Sequence, residues 1–302
     1  MSDAPILIGF LAAAIRIATP LLLAATGELV VERAGVINLG LEGAMLAGAL
    51  ASAIGASHGG PWAGLLASLA AGLLVAGIFA TITVVGRAQQ IIAGTAVTLG
   101  AVGVTGVAYR SVFGAAGPGL SVPTFPPLRI PVLSSLPIIG PAFFEQTLLT
   151  YLAWLAVPVA GLFLFRTFWG LGLRAAGESS EAAAASGVPV ARVRITAILA
   201  GGLMGGLAGA SLVLGQVGTF AENMTAGRGF IAIAIVVLGR WHPVGVLLAS
   251  LLFGAAGALQ FAFQAGGLAI PYQLVLAMPY GLALLALAGA WGRSRAPAGL
   301  GR

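Results

Sequence analysis

Residues 43–86 read GAMLAGALASAIGASHGGPWAGLLASLAAGLLVAGIFATITVVG, 44 consecutive positions without Asp, Glu, Lys or Arg. A bilayer core of ~30 Å is crossed by ~20 predominantly apolar helical residues. This stretch is therefore long enough for two crossings, separated at its Gly/Pro cluster. A second charge-free run, 241–292, spans 52 residues and has room for two more.

The remainder of the 302 residues has the same character. Charged residues are 7% of the chain, against roughly 25% in soluble proteins, while hydrophobic residues reach 59% and mean hydropathy is +1.07. Twenty-two charges cannot cover a soluble core of this length. The sequence predicts an all-α, polytopic integral membrane bundle, a single transmembrane domain over 1–302. Cysteine is absent, which excludes disulfides, thiolate metal sites and cysteine nucleophiles. All 14 basic residues are arginine, and they fall at the ends of apolar runs rather than on one face. The net charge of +6 therefore speaks of membrane orientation, not nucleic acid. No cleaved targeting segment is expected, because Met1-Ser2-Asp3 lacks a basic region and Arg16 interrupts the next apolar run.

Runs broken by charge, Pro or Gly clusters give nine candidate crossings, at 4–27, 36–56, 61–85, 89–112, 147–165, 195–215, 228–239, 243–264 and 273–291. The seventh is too short to cross alone: twelve helical residues rise only ~18 Å. It is expected to be a half-helix or to be completed by irregular chain from 216–227. With the N-terminus outside, ten arginines lie in inside loops (33, 87, 166, 174, 192, 194, 240, 293, 295 and 302) and three outside (110, 129 and 228). That bias favours a cytoplasmic C-terminus in a bacterial inner membrane. The segment 113–146 carries seven of the 16 prolines. It reads as an external loop, either an irregular cap over the bundle or a docking surface. The segment 166–194 is its cytoplasmic counterpart.

Within that counterpart, Ser179-Ser180-Glu181-Ala182-Ala183-Ala184-Ala185-Ser186-Gly187-Val188-Pro189 marks both ends of a short helix. Ser179 or Ser180 can cap its first turn, Glu181 sits at the positive end of the dipole, and Gly187 with Pro189 stops it. So small a helix has too little apolar surface for a membrane anchor and looks like a rigid knob for another protein to grip. Its Glu181-Ala182-Ala183-x-x-x-Gly187 spacing resembles the coupling loop of ABC-importer permeases, and Arg174-x-x-Gly177-Glu178 is similar to the lead-in of the ribose, nucleoside and branched-chain amino-acid branch. Three further segments carry the same resemblance: Glu32-Arg33-x-Gly35-x-x-Asn38-Leu39-Gly40-x-Glu42-Gly43, the run Gly215 to Ala232 with Glu222-Asn223-Met224-Thr225-Ala226-Gly227-Arg228-Gly229, and Gly239-Arg240-Trp241-x-Pro243-x-Gly245.

The resemblance covers roughly 18–291 and implies a fold like that of the vitamin B12 importer permease, usually ten helices, here nine with the first missing. It is closest to the shorter of two paired purine-nucleoside permeases, so the implied partners are an ABC ATP-binding subunit that holds ATP and Mg, a second homologous permease, and an extracytoplasmic substrate-binding lipoprotein. Arg174, Gly177, Glu178, Glu181, Ala182, Ala183 and Gly187 would then couple to the ATPase. One departure stands out: Thr98 occupies a position where relatives often carry asparagine.

Ionisable groups inside a span face protein or water rather than lipid. Asn38 and Glu42, four apart, are expected on one helix face, where they line a polar path or form an interhelical pair, for instance Glu42 with Arg16. Gln90 and Thr98 are path residues or packing glue. Asn223 or Thr225 caps the short seventh helix, or gates the substrate, and Arg228 at that unfavourable N-terminus needs a partner such as Glu222. Enzyme readings fail. His58 and His242 lie near opposite faces, Asp3 is the sole aspartate, and a chain without lysine has no phosphate loop. The expected function is an ATP-driven importer subunit that carries a nucleoside, or next a simple sugar such as ribose. The rival is an ion-coupled secondary transporter using Glu42, with a membrane hydrolase a distant third.

Overall fold

The computed structural model describes residues 4–114, 121–137, 139–265, 281 and 296–301. Its long elements are α1 (Ala4–Arg33), α2 (Leu41–Ala80), α3 (Gln90–Phe113), α5 (Leu148–Arg166), α8 (Val190–Leu212) and α10 (Pro243–Ala265). Between them lie the short α4 (Ile139–Phe143), α6 (Phe168–Glu178), α7 (Ser180–Ala185) and α9 (Arg228–Leu238). Among the described residues, five helical stretches are long and apolar enough to cross a membrane: Leu7–Arg33, Leu41–Val85, Gln90–Val112, Leu148–Arg166 and Val190–Val217. The chain is a multi-pass helical membrane protein. The candidate crossing at 273–291 lies, but for position 281, outside the described residues.

The opening stretch folds as an antiparallel hairpin of helix. The helical path of α2 is interrupted where Gly59 and Gly60 leave helical geometry, Gly60 at φ 79°, and Pro61 starts the second arm. The arms then close on each other through glycine: a Cβ on Gly55 would lie 2.9 Å from the Cα of Gly64.

The central element is α8, built as Gly201-Gly202-Leu-Met-Gly205-Gly206-Leu-Ala-Gly209. A Cβ on Gly206 would collide with the carbonyl of Ser68 on the second arm of α2, and one on Gly209 with the carbonyl of Met45 on the first arm. Gly201 is filled by Val31 of α1, 2.5 Å from where a Cβ would stand. Without a hydrophobic drive between helices in lipid, close backbone packing of this kind supplies the association.

The segment 121–147 is not wholly irregular. It contains a two-residue antiparallel ladder, β1 (Leu128–Arg129) with β2 (Glu145–Gln146), and the turn of helix α4. It lies over the end of α8, where Val122 N–H donates to the Gly218 carbonyl (2.8 Å) and Phe125 N–H to Leu214 (2.9 Å). Phe125 is buried and meets Trp62 edge-on at 5.2 Å.

Candidate translocation and coupling site

The predicted half-helix is present. α9 has eleven residues and begins after irregular chain, with Gly227 at φ 82° as its N-cap and no cap from its own sequence. The cap comes from Glu42, the second residue of α2. Its carboxylate accepts from the N–H groups of Gly227 (2.8 Å) and Gly229 (2.5 Å), and it is buried. A carboxylate on the positive end of a helix dipole, bonded to two otherwise orphaned amides, is a strong fixture. Gly229 is required by the approach, since a Cβ there would stand 2.6 Å from the backbone nitrogen of Glu42. Asn223 and Thr225 therefore do not cap the helix. Asn223 turns the preceding chain at φ 56°, and Thr225 is fully buried, its Oγ1 without a partner among the described residues.

The second irregular stretch faces the first. α1 ends at Arg33, Ala34 and Gly35 turn the chain with Gly35 at φ 86°, and residues 36–38 have no regular structure before α2 begins at Leu41. Asn38 and Glu42 consequently do not share a helix face, because Asn38 lies in the irregular run before α2 and the turn at Leu39-Gly40 separates them. The expectation failed because the glycine stop sits three residues upstream. Asn38 is buried, donates its N–H to Glu28 Oε1 (2.9 Å), and has no partner for Oδ1 among the described residues. Gln90 accepts the N–H of Ile37 (2.8 Å) and Thr98 donates to the Leu39 carbonyl (2.8 Å), so both hold the irregular run against α3.

Two further expectations are corrected. Glu42 does not meet Arg16, which is exposed and whose carbonyl accepts from Gln216 Nε2 (2.7 Å). Glu222 does not meet Arg228. It takes a two-pronged bond from Arg110 at the end of α3 (2.8 and 3.0 Å), which holds its carboxyl below the usual range. Arg228 instead donates to the carbonyls of Met224 and Thr225, neutralising part of the loop that precedes its own helix.

From this junction bonds and close packing lead toward the knob. Three residues beyond α9 stands Trp241, whose indole N–H donates to Glu32 (2.5 Å) and whose carbonyl accepts Arg33 through Nε (2.9 Å) and Nη2 (2.5 Å). The backbone of Arg33 is in turn packed against Gly177, where any Cβ would strike the Arg33 carbonyl. Glu28, Glu32 and Trp241 are buried, and sequence reasoning gave none of them a role. The available signal was two carboxylates one turn apart at the end of an apolar run, a pattern that marks function by default. Reading the first crossing as ending at 27 left Glu28 outside it.

The knob has the expected form. Ser179 caps α7 by accepting the Ala182 N–H (3.3 Å), and Gly187 closes it at φ 85° in open space. Ala183 is its buried foot, while Glu181, Ala182 and Gly187 are exposed. The lead-in residues face elsewhere. Arg174 lies over the ring of Phe165 (5.1 Å), Gly177 is buried, and Glu178 accepts the N–H of Ala298 (3.2 Å). Among the described residues no cluster of three or more His, Cys, Asp or Glu suited to a metal ion occurs.

Residues 10–287 match the family model described as branched-chain amino acid transport system / permease component. The chain belongs to that permease family. It is 41% identical over 274 residues to a putative glucose ABC transporter permease protein, TsgC13, of Haloferax volcanii, covering 89% of this chain and 82% of the relative. It is 37% identical over 290 residues to the guanosine ABC transporter permease protein NupQ of Bacillus subtilis, covering 93% and 91%. It is 35% identical over 289 residues to the nucleoside ABC transporter permease protein NupC of Lactococcus lactis, covering 92% and 91%. No solved structure matches the chain. The permease is thus a transporter subunit of ABC type and not an enzyme, as the coupling-loop resemblance implies.

Proposed function

We propose that the permease forms the translocation path of an ATP-driven importer for a nucleoside. The observation that carries this reading is the Glu42 carboxylate seated on the N-terminus of α9. It joins the largely buried irregular stretch 36–40 to the irregular stretch 219–227, which buries Phe220 and Thr225 and exposes Ala221, Glu222, Asn223 and Ala226, and irregular backbone in a membrane protein is tolerated where it lines a cavity or is enclosed by protein. Asn38, Glu42, Gln90, Thr98, Asn223 and Thr225 would flank that path. Arg174, Gly177 and Glu178 would carry the knob, and Glu181, Ala182, Ala183 and Gly187 would meet the ATPase, which binds ATP and Mg itself. A substrate-binding lipoprotein would deliver the substrate outside, and a second homologous permease would complete the path. Nine crossings in one domain, with the N-terminus outside and the C-terminus in the cytoplasm of a bacterial inner membrane, fit the arginine bias and the half-length of α9.

A simple sugar is the second reading, supported by the 41% identity to a permease named for glucose. Ion coupling through Glu42 is disfavoured, because both its oxygens already accept backbone amides. Uptake of labelled guanosine by cells carrying the complete transporter, competed by unlabelled nucleosides, glucose or ribose, decides the substrate class. Nucleosides alone should compete. Competition by sugars alone would replace the first reading with the second. Concentrative uptake into liposomes holding this chain alone, under an ion gradient without ATPase, would overturn both.

A further inference from the structure

On the face that carries the knob, a cavity of about 670 Å³ opens between the α2–α3 turn, the start of α7 and the start of α8. Arg87, Gln89, Gln90, Ser180, Ala191 and Arg194 line it, and no acidic residue does among the described residues. Neither arginine forms an ion pair among the described residues. Arg194 is half-buried and its one hydrogen bond there is a long one, from Nε to the Ala34 carbonyl (3.4 Å), which leaves its Nη groups available. Gln90 is the first residue of α3, whose start is capped by the Gln89 side chain on the Ile92 N–H (2.9 Å), and Val190 and Ala191, both in the lining, are the first two of α8, a 23-residue helix with no side-chain cap. A long helix start adds roughly half a positive charge and, where uncapped, outward-facing amides. Two guanidiniums and the uncapped start of α8 around one opening of ligand size form a positive field suited to an anion, and guanidinium suits phosphate geometry above other anions.

We propose that this cavity binds a phosphoryl anion, supplied by an anionic phospholipid headgroup or by a free phosphate compound. Its occupant would bridge the α2–α3 turn to the base of the knob. The inference stands on the cavity itself and borrows from the transport reading only the identity of the knob.

The test needs no transport or ATPase. The full chain is placed in phosphatidylcholine nanodiscs and titrated with pyrophosphate by calorimetry, and in parallel phosphatidylglycerol is mixed in and its enrichment on the protein measured by native mass spectrometry. Arg87→Gln and Arg194→Gln should each weaken binding about tenfold, the loss of one charged hydrogen-bonding partner, while Arg192→Gln, exposed on α8 but outside the lining, should leave it unchanged. Pyrophosphate binding would identify a free phosphate site. Phosphatidylglycerol enrichment without pyrophosphate binding would identify a headgroup site. Arg87→Glu, at an exposed turn residue, serves as a second variant that keeps the Arg194 contacts intact and should abolish either signal. The proposal is overturned if neither probe binds, or if Arg192→Gln weakens binding as much as the lining variants.

Discussion

The start of α8 and its glycine-packed middle differ from the start of α9 in how each is held. α8 is fixed by shape: Gly206 and Gly209 sit against backbone of both α2 arms, and Gly202 against the Cβ of Ala76 and the carbonyl of Gly72. α9 is fixed at its start by two hydrogen bonds from one carboxylate on another helix. Shape packing of rigid backbones has one arrangement, whereas a cap in trans can be released and remade. The difference teaches where this molecule can move: α8 is the post, and α9, tied to Glu42 at one end and to Glu32 and Arg33 at the other, is the element able to shift.

The largest effect should come from breaking the post. Gly206→Val puts side-chain atoms into the carbonyl of Ser68, and overpacking of a close interface costs about 3 kcal/mol or more when backbone must retreat. The expected result is loss of a monodisperse peak in size-exclusion chromatography. Gly103→Val on α3, where a Cβ meets nothing within 4 Å, should leave the peak intact.

Breaking the cap should spare the fold and reduce transport. In Glu42→Gln the side chain keeps its size, yet one amide N–H of α9 then faces an NH₂ group instead of an acceptor. Hydrogen bonds to charged groups contribute ~1.5–3 kcal/mol each, so ATP-dependent uptake should drop at least about tenfold with the size-exclusion profile unchanged. Gly229→Ala should reproduce this by steric displacement of α9. Wild-type uptake in both variants would remove α9 from the moving parts.

The contrast also explains what was legible in the sequence. The α2 hairpin, the half-length of α9, the knob and its Ser179 and Gly187 ends follow from period, length and local stop signals, because each is decided within a dozen residues. The partners of Glu42, Arg228 and Glu222 were misassigned, because pairing across 185 residues, as between Glu42 and Gly227, leaves no local trace. Backbone amides were the acceptor's true partners, and a reading that pairs acids with arginines cannot see them. Glu28 and Trp241 were passed over for a related reason: each serves a backbone or side-chain group of a distant loop.

A smaller effect is expected at the knob, where neither packing nor a buried cap is disturbed. Gly187→Val forces a branched residue to φ 85°, a local cost of roughly 1–2 kcal/mol, and Glu181→Arg reverses charge on an exposed first turn. Insertion should be normal, but substrate-stimulated ATP hydrolysis by the assembled transporter should be lost in both variants. Retained stimulation would detach α7 from the coupling role.

The smallest effect is expected where the structure offers its best-formed ion pair. Arg110 and Glu222 meet with ideal two-pronged geometry, which invites the idea of a latch holding the 219–227 loop to α3. Both side chains are largely exposed, at 62% and 42%, and exposed pairs exchange one set of hydrogen bonds for water at little net gain. If α9 is governed by its buried cap, Arg110→Gln should change uptake by no more than about twofold, and the change should vanish at high salt, since screening already weakens the pair. If the loop were instead held from outside, Arg110→Gln would match Glu42→Gln in its loss of uptake. Measuring the two variants side by side at low and high ionic strength separates these cases. A salt-sensitive loss as deep as that of Glu42→Gln would move control of α9 from the buried carboxylate to the exposed pair.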